Sequence, residues 1–289
     1  MPASMPAPRS AQPVLFMDQP AMQVVLPAGD QVVVALQGAQ VLSWKTADGA
    51  ERLYLSPRSR WDGHSAIRGG VPVCFPQFNQ RGPLPKHGFA RNLPWQLAAS
   101  DIGADHAEMQ LLLEDSEATR ALWPGHSFTA RLTITLAPGA LRIALTAHNT
   151  GTTAWEFTAA LHSYLRVDAI AQAQVDGLGG CARWDTVADA RDVQQGPAVF
   201  EGEYDSVFAA AAQPLRLLHG DAAVLSIAQS PAWSNTVVWN PGATLCAQLP
   251  DMPADGYAHM LCVEAACVEQ PVHLPPGQQW SGWQQLRAL

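Results

Sequence analysis

Two consecutive segments with strict two-residue alternation constrain the fold of this sequence more than any other feature. In FTARLTITL (128–136) and ALRIALTAH (140–148), apolar side chains alternate with Thr, Arg and other polar or small residues. Such alternation places the apolar side chains on one face of a strand. Between the two segments lies Pro138-Gly139, a turn dipeptide. The pair therefore predicts an antiparallel hairpin with one buried face.

Short strand-like segments recur along the rest of the chain, at 22–26, 31–36, 40–44, 95–99, 107–113, 155–162, 223–228, 235–239, 259–264 and 280–287. Helical signals are scarce, and the best one is SEATRAL (116–122), in which Ser116 is a plausible N-cap and Pro124 ends the helix. Many short strands without alternating helices favour an all-β sandwich or barrel. We expect residues 1–13 to form a flexible tail and residues 14–289 to form one domain.

Composition limits the classes of function. The chain has 289 residues and a formal net charge of −8, which argues against a general nucleic-acid binder. Neither a signal peptide nor an apolar run of about 20 residues is visible, so we expect a cytoplasmic protein that does not contact a membrane. The five cysteines form no CxxC pair, and we expect them to be reduced and structural.

One long segment, residues 57–94, breaks the strand pattern and is dense in Gly, Pro, Arg and His. Loops longer than about 15 residues are uncommon in compact domains unless they are functional. The segment carries a local excess of basic residues in an acidic chain, namely Arg58, Arg60, Arg68, Arg81, Lys86 and Arg91. It is either an anion-binding site or a solvated loop whose arginines pair with scattered carboxylates.

Two residues on separate predicted strands could supply acid–base chemistry. Glu264 follows four apolar residues, and carboxylates are rarely buried without a partner or a purpose. His162 ends an apolar strand, where a lone His is more often a hydrogen-bonded core residue. Together they could act as general acid and general base on one small ligand. A Ser-based triad is disfavoured because no GxSxG motif exists, and metal ligation because the histidines show no HxH or HExxH grouping.

Five segments in order along the chain resemble the aldose 1-epimerase family, in its glucose-6-phosphate 1-epimerase branch. They are AIRGGVPVCFP (66–76), KHGFAR (86–91), LHSYL (161–165), VVWNP (237–241) and MLCVE (260–264). The resemblance extends from about residue 22 to the C-terminus. Paired RGGxPxxFP and HGFAR motifs are far more specific than a short catalytic signature.

The resemblance implies a galactose mutarotase-like β-supersandwich and an isomerase that interconverts the α and β anomers of D-glucose 6-phosphate or a related hexose 6-phosphate. It implies that Glu264 accepts the proton of the anomeric hydroxyl and that protonated His162 gives a proton to the ring oxygen. For substrate binding it implies the residues Arg68, His87, Arg91 and Asp205. Where this chain has Lys86, members of the family often have Gln, and the lysine adds positive charge where an anion could bind.

The chemistry requires no cofactor and no metal, and we expect a monomer whose ligand is a small sugar phosphate. Arg68 and Arg91 are the first candidates for phosphate binding, and Arg58 and Arg60 are further ones. Other functions stay open: an aldose 1-epimerase acting on a neutral sugar, a non-catalytic carbohydrate-binding protein on the same fold, and a lyase or hydrolase.

Overall fold

The computed structural model describes residues 10–289, and the first strand begins earlier than expected. Residues 1–9 of the predicted tail lie outside the described residues. At the other end of that tail the prediction is wrong by two residues, because Gln12 and Pro13 pair with Gln23 and Met22 in an antiparallel ladder. A proline is compatible with this position because the first strand is an edge strand and needs no N–H on its outer side.

Three antiparallel sheets make up the fold. The first consists, in this order, of β1 (Gln12–Phe16), β2 (Gln19–Val25), β3 (Gln31–Ala35) and β4 (Val41–Lys45). The second consists of β5 (Val73–Cys74), β10 (Trp155–Leu161), β11 (Tyr164–Arg166), β13 (Ala182–Asp185), β14 (Ala190–Val193), β16 (Tyr204–Ala209), β19 (Asn235–Asn240) and β20 (Met260–Leu274). The third consists of β6 (Gln96–Ile102), β7 (Ala107–Glu114), β8 (Phe128–Ala137), β9 (Ala140–Asn149), β12 (Ala173–Asp176), β15 (Ala198–Val199), β17 (Leu215–His219), β18 (Ala222–Gln229) and β21 (Gln279–Ala288).

The second and third sheets, which have more strands than the first, differ in strand order. In the second sheet the order is β14-β13-β16-β19-β20-β10-β5, with β11 pairing separately with β20. In the third it is β15-β12-β17-β18-β21-β9-β8-β7-β6. The expected all-β fold class is thus confirmed, since the described residues form antiparallel sheets with few short helices.

The predicted hairpin is strands β8 and β9, whose ladder runs from Phe128 opposite Asn149 to Ala137 opposite Ala140. Every second side chain of β8 is buried, as the alternation predicted. The predicted helix is α1 (Glu117–Leu122), and the Ser116 hydroxyl accepts a hydrogen bond from the backbone N–H of Thr119, as an N-cap does. The other α-helix is α2 (Gly242–Cys246), and short 3-10 helices occur at Ala90–Asn92, Ile170–Gln172 and Gly256–His259. No helix of the described residues is long and apolar enough to cross a membrane.

Strand β20 has two buried faces with different roles. Leu261, Val263 and Ala265 point into the main hydrophobic cluster, which also contains residues of the other two sheets. Since successive side chains alternate between faces, Cys262 and Glu264 point to the opposite side of the second sheet. That side also carries apolar residues of β16 and β19, and it forms the floor of a cavity. The sheet therefore separates a packed core from a ligand-sized space.

Each of the two sequence motifs contains a glycine that no larger residue could replace. Gly70 has φ +59°, and a Cβ there would lie 2.0 Å from the Val41 carbonyl oxygen. Gly88 has φ +72°, and a Cβ there would lie 2.2 Å from the Phe75 carbonyl oxygen. Both positions need a left-handed backbone and a close approach of two chains, which only Gly permits. The contact at Gly88 joins the two motifs and brings His87 to the edge of the cavity.

Candidate active site

The cavity on the outer side of the second sheet has a volume of about 430 Å³ and contains the predicted acid–base pair. Nδ1 of His162 lies 3.3 Å from Oε1 of Glu264, and their side chains are 9% and 1% exposed. The contact is close but does not have hydrogen-bond geometry, since among residues 10–289 neither His162 Nδ1 nor Glu264 Oε2 has a hydrogen-bond partner. Buried polar atoms without a partner are rare in proteins. Here two of them belong to side chains that line the same cavity, which suits a ligand with hydroxyl groups.

Burial disfavours the charged forms of both members of this pair. It raises the pKa of Glu264 well above its usual value, and the Asp205 carboxylate adds to this shift. It also lowers the pKa of His162 well below its usual value, and the neighbouring His87, Arg91 and Arg68 lower it further. The form of the pair in which both groups are neutral is therefore favoured, with the shared titratable proton on Glu264.

Below His162 lies a second layer that fixes the ring. The His162 imidazole stacks on the Tyr164 ring at 4.7 Å between centroids, with 8° between planes. The Tyr164 hydroxyl accepts a hydrogen bond of 3.1 Å from Nη1 of Arg68. Arg68 in turn donates two hydrogen bonds of 3.1 Å, from Nε and Nη2, to the two carboxylate oxygens of Asp251. Arg68 lines the cavity as predicted, but most of its hydrogen-bonding capacity is used by the protein itself.

His87 is a neutral imidazole whose Nε2 is available as a hydrogen-bond donor. Its Nδ1 accepts a hydrogen bond of 3.3 Å from the backbone N–H of Asn79, so the proton of the neutral ring lies on Nε2. Burial, together with Arg91, Lys86 and Arg68, lowers the pKa of His87 to about 2. The ring meets the His162 ring edge-to-face at 5.4 Å. His87 therefore stays uncharged at neutral pH beside the acid–base pair.

Two basic residues at the cavity retain free donor groups. Arg91, which lies in the 3-10 helix after the HGF motif, donates from Nη2 to the Lys86 carbonyl oxygen at 2.9 Å, and its Nε has no partner. The Lys86 side chain also lines the cavity, and burial together with Arg68 and Arg91 lowers its pKa. No ion pair is formed by either side chain among residues 10–289. Both cations are thus available to an anionic ligand.

Asp205 lies on β16 at the opposite wall, where it lines the same cavity. Its backbone carbonyl accepts hydrogen bonds from Thr186, from N–H at 2.9 Å and from the hydroxyl at 3.1 Å. Burial raises the pKa of the Asp205 carboxyl to about 6, although the Thr186 hydroxyl partly offsets this. The carboxylate is available as an acceptor for ligand hydroxyl groups.

The structure brings together in one cavity seven of the residues that the sequence singled out for substrate binding and catalysis, namely Arg68, Lys86, His87, Arg91, His162, Asp205 and Glu264. Arg58 and Arg60 are exposed and do not line the cavity. The long segment 57–94 thus contributes to a site, but only through part of its basic residues.

Sequence reasoning missed several residues of the cavity. Asp251 and Tyr164 fix Arg68, and Trp239 contributes an aromatic wall, edge-on to the His162 ring at 6.1 Å. Tyr164 lies in the LHSYL motif and Trp239 in the VVWNP motif, both of which resemble the family. Their place in these motifs is the sequence signal that could have identified them. Asp251 is 183 residues from Arg68 in sequence, and nothing in its local sequence indicates the pairing.

Three buried side chains at and beside the cavity floor form the kind of group that can hold a metal ion. His162, Cys262 and Glu264 each place one potential ligand atom within 4.8 Å of the others. Metal ligation by cysteine requires a thiolate, whereas burial and the Glu264 carboxyl raise the pKa of the Cys262 thiol well above its usual value. The expectation of a metal-free site stays a prediction.

Comparison with known proteins places this geometry in a family. The sequence model of the aldose 1-epimerase family matches residues 22–287. A protein of Cenchrus ciliaris, provisionally named glucose-6-phosphate 1-epimerase, is 36% identical over 266 residues, which cover 89% of this chain and 80% of that protein. An Escherichia coli K12 protein with the same provisional name is 39% identical over 255 residues, covering 83% of each chain.

The fold comparison agrees. A crystal structure of a provisionally assigned mutarotase from Salmonella typhimurium superimposes with a TM-score of 0.88 at 32% identity, covering 96% of this chain and 93% of that one. The expected galactose mutarotase-like fold is thereby confirmed. The chain belongs to the aldose 1-epimerase family and is an isomerase of the mutarotase type.

Proposed function

We propose that this mutarotase interconverts the α and β anomers of a hexose 6-phosphate, with D-glucose 6-phosphate as the first substrate to test. The observation that carries the proposal is the combination, in one cavity, of a buried His–Glu pair with two cations, Lys86 and Arg91, that have no carboxylate partner in the described part of the chain. The relatives provisionally named glucose-6-phosphate 1-epimerase support the same substrate class.

Interconversion of anomers needs two proton transfers in each direction. Opening of the pyranose ring requires a base to take the proton of the anomeric hydroxyl and an acid to protonate the ring oxygen. The open-chain aldehyde then rotates about its C1–C2 bond, and ring closure exposes either face to the C5 hydroxyl. On closure the acid and the base exchange roles, so the site needs two groups that share one proton.

We assign these roles to Glu264 and His162. Glu264 as carboxylate accepts the proton of the anomeric hydroxyl, and protonated His162 gives a proton to the ring oxygen. Burial favours the neutral form of both side chains, so this charged form arises when the single proton of the pair moves from Glu264 to His162. At 3.3 Å the opposite charges of this form attract each other, which offsets part of the cost of burying them. The neutral form and the ion pair hold the same number of protons.

We assign phosphate binding to Arg91 and Lys86 rather than to Arg68. A phosphate dianion needs several charge-assisted hydrogen bonds, and arginine provides them in a fixed planar geometry. Arg68 already donates to Asp251 and Tyr164, which assigns it to holding the aromatic platform under His162. On the other wall, Asp205 accepts hydrogen bonds from sugar hydroxyls, and His87 donates one from Nε2.

Replacing Arg91 with alanine is expected to raise KM for glucose 6-phosphate by about 10- to 100-fold, since a hydrogen bond to a charged group contributes about 1.5–3 kcal/mol. KM for free glucose should change less than about threefold, because that sugar presents no phosphate to the arginine. Steady-state kinetics with both sugars measure the difference. Arg58→Ala is the matched control, since Arg58 is an exposed arginine of the same segment outside the cavity. Equal loss for both sugars would contradict the assignment of Arg91 to the phosphate.

The proposed function itself is tested by anomer exchange. Purified protein is added to equilibrated glucose 6-phosphate and, separately, to galactose, and the exchange between anomeric C1 protons is followed by NMR. Preference for the phosphorylated sugar supports the proposal. Preference for galactose would favour an aldose 1-epimerase for neutral sugars, and no exchange of either sugar would favour a carbohydrate-binding protein.

A further inference from the structure

The loop between Phe78 and His87 carries a third free cation to the cavity, and a tryptophan from another part of the chain holds it there. We propose that Arg81 is a further phosphate-binding residue and that Trp184 is the positioning residue that keeps its guanidinium at the cavity wall. This inference rests on the proposed function, because it assigns the residues that select the phosphorylated substrate. Neither residue belongs to a motif that indicated the family.

The loop is closed around one buried amide. Nε2 of Gln77 donates to the carbonyl oxygens of Asn79 and Leu84, both at 3.0 Å, and its Oε1 accepts from the Leu84 N–H at 2.9 Å. The N–H of His87 also donates to the Asn79 carbonyl oxygen at 2.9 Å, which closes the loop at its base. Arg81 lies between these pinned ends, so its Cα has a defined position although the residue is on the surface.

Trp184 fixes the side chain of Arg81. The guanidinium carbon lies 4.3 Å from the centroid of the Trp184 ring, within the range of a cation–π contact. Stacking uses the flat face of the guanidinium and leaves its N–H groups free in the plane. Arg81 forms no ion pair among residues 10–289 and lines the cavity together with Lys86 and Asp205. A free, oriented guanidinium at a cavity is suited to a phosphate.

The tryptophan is itself immobilised by the hairpin β13–β14. Its indole N–H donates to the Asp189 carboxylate at 3.0 Å, and the guanidinium carbon of Arg191 lies 5.0 Å from the ring centroid. Arg191 in turn pairs with Glu269 at 2.7 Å, which ties the hairpin to β20. A chain of contacts therefore runs from β20, which carries Glu264, through the hairpin to Arg81. Loss of the Trp184 ring should weaken phosphate binding because it releases the Arg81 guanidinium.

Arg81→Ala is expected to raise KM for glucose 6-phosphate about 10-fold or more, with KM for free glucose within about twofold of wild type. Trp184→Leu should raise KM for glucose 6-phosphate several-fold, and Trp184→Phe should restore most of the loss because it keeps an aromatic face. The double variant Arg81→Ala/Trp184→Leu should be no worse than Arg81→Ala alone, since the tryptophan acts through the arginine. In all variants kcat should stay close to that of wild type.

A matched control is available elsewhere in the chain. Arg142 stacks on Trp283 at 4.1 Å on the third sheet, and neither residue lines this cavity. Arg142→Ala and Trp283→Leu remove the same type of contact and should leave both KM values unchanged. Circular dichroism melts establish that every variant is folded, and Trp184→Phe is the fallback if the leucine variant is not.

The experiments distinguish failure of the role of Arg81 from failure of the proposed function. Should wild type exchange glucose 6-phosphate rapidly while Arg81→Ala keeps the wild-type KM, the role of Arg81 is wrong. A double variant that loses the product of the two single effects would overturn the positioning role of Trp184. Should wild type not exchange glucose 6-phosphate at all, the proposed function fails. Calorimetric binding of glucose 6-phosphate to wild type and Arg81→Ala then decides the inference, and equal affinities overturn it.

Discussion

Replacing Glu264 with glutamine should lower kcat for anomer interconversion by about 10²- to 10⁴-fold, the range that a positioned general base contributes. Glutamine has nearly the same shape as glutamic acid but cannot accept the anomeric proton. The side chain is 1% exposed and its Oε2 has no partner, so the neutral amide should fit the same space. Substrate affinity, measured by calorimetry, should therefore change little while turnover is lost.

The chain supplies a matched control for this variant. Glu156 and His273 form a second His–Glu contact between β10 and β20, at 3.5 Å, but both side chains are 61% exposed. Glu156→Gln makes the same chemical change outside the cavity and should retain wild-type turnover. A folded Glu264→Gln protein with wild-type kcat would refute the role of Glu264 as base.

Replacing His162 with asparagine should produce the second large effect, a loss in kcat of about 10²-fold or more, because the acid that protonates the ring oxygen is removed. Asparagine keeps a polar side chain in place of the ring but titrates at no accessible pH. The backbone N–H of His162 donates to the Pro72 carbonyl oxygen at 3.0 Å. That bond does not depend on the side chain, so the backbone between β10 and β11 should keep its position.

The kinetics of a double variant test whether Glu264 and His162 act together. Groups that act as one unit show non-additive effects, so His162→Asn/Glu264→Gln should be about as slow as the slower single variant. Multiplication of the two single effects would indicate that the residues act independently and would contradict a shared proton. His273→Asn, in the exposed pair, is the control for the histidine change.

Secondary structure could be predicted where one face of an element is buried and the other is not. The hairpin 128–148 and the cap at Ser116 belong to this class, because alternation and capping are local signals. Strands β13 (Ala182–Asp185) and β14 (Ala190–Val193) were missed because most of their residues are exposed or only half-buried and show no apolar period. Their pairing is set by neighbours in the sheet rather than by local composition.

The candidate site was predictable in its residue types but not in its connections. Glu264 drew attention because it follows an apolar strand, and the family motifs pointed to His162 and Arg91. The pairing of Arg68 with Asp251, which removes Arg68 from the first candidates for phosphate binding, joins residues 183 positions apart. No local pattern reports such a contact, since it depends on how the sheets bring distant segments together.

The most direct test is the rate of anomer exchange of glucose 6-phosphate with wild-type protein, measured by NMR beside free galactose at equal concentrations. We predict fast exchange of the C1 protons of glucose 6-phosphate, slower exchange of galactose, and loss of both in His162→Asn. Equal or faster exchange of galactose would contradict selection of the phosphorylated sugar. No acceleration of either sugar by folded wild-type protein would contradict the assignment of this cavity to catalysis.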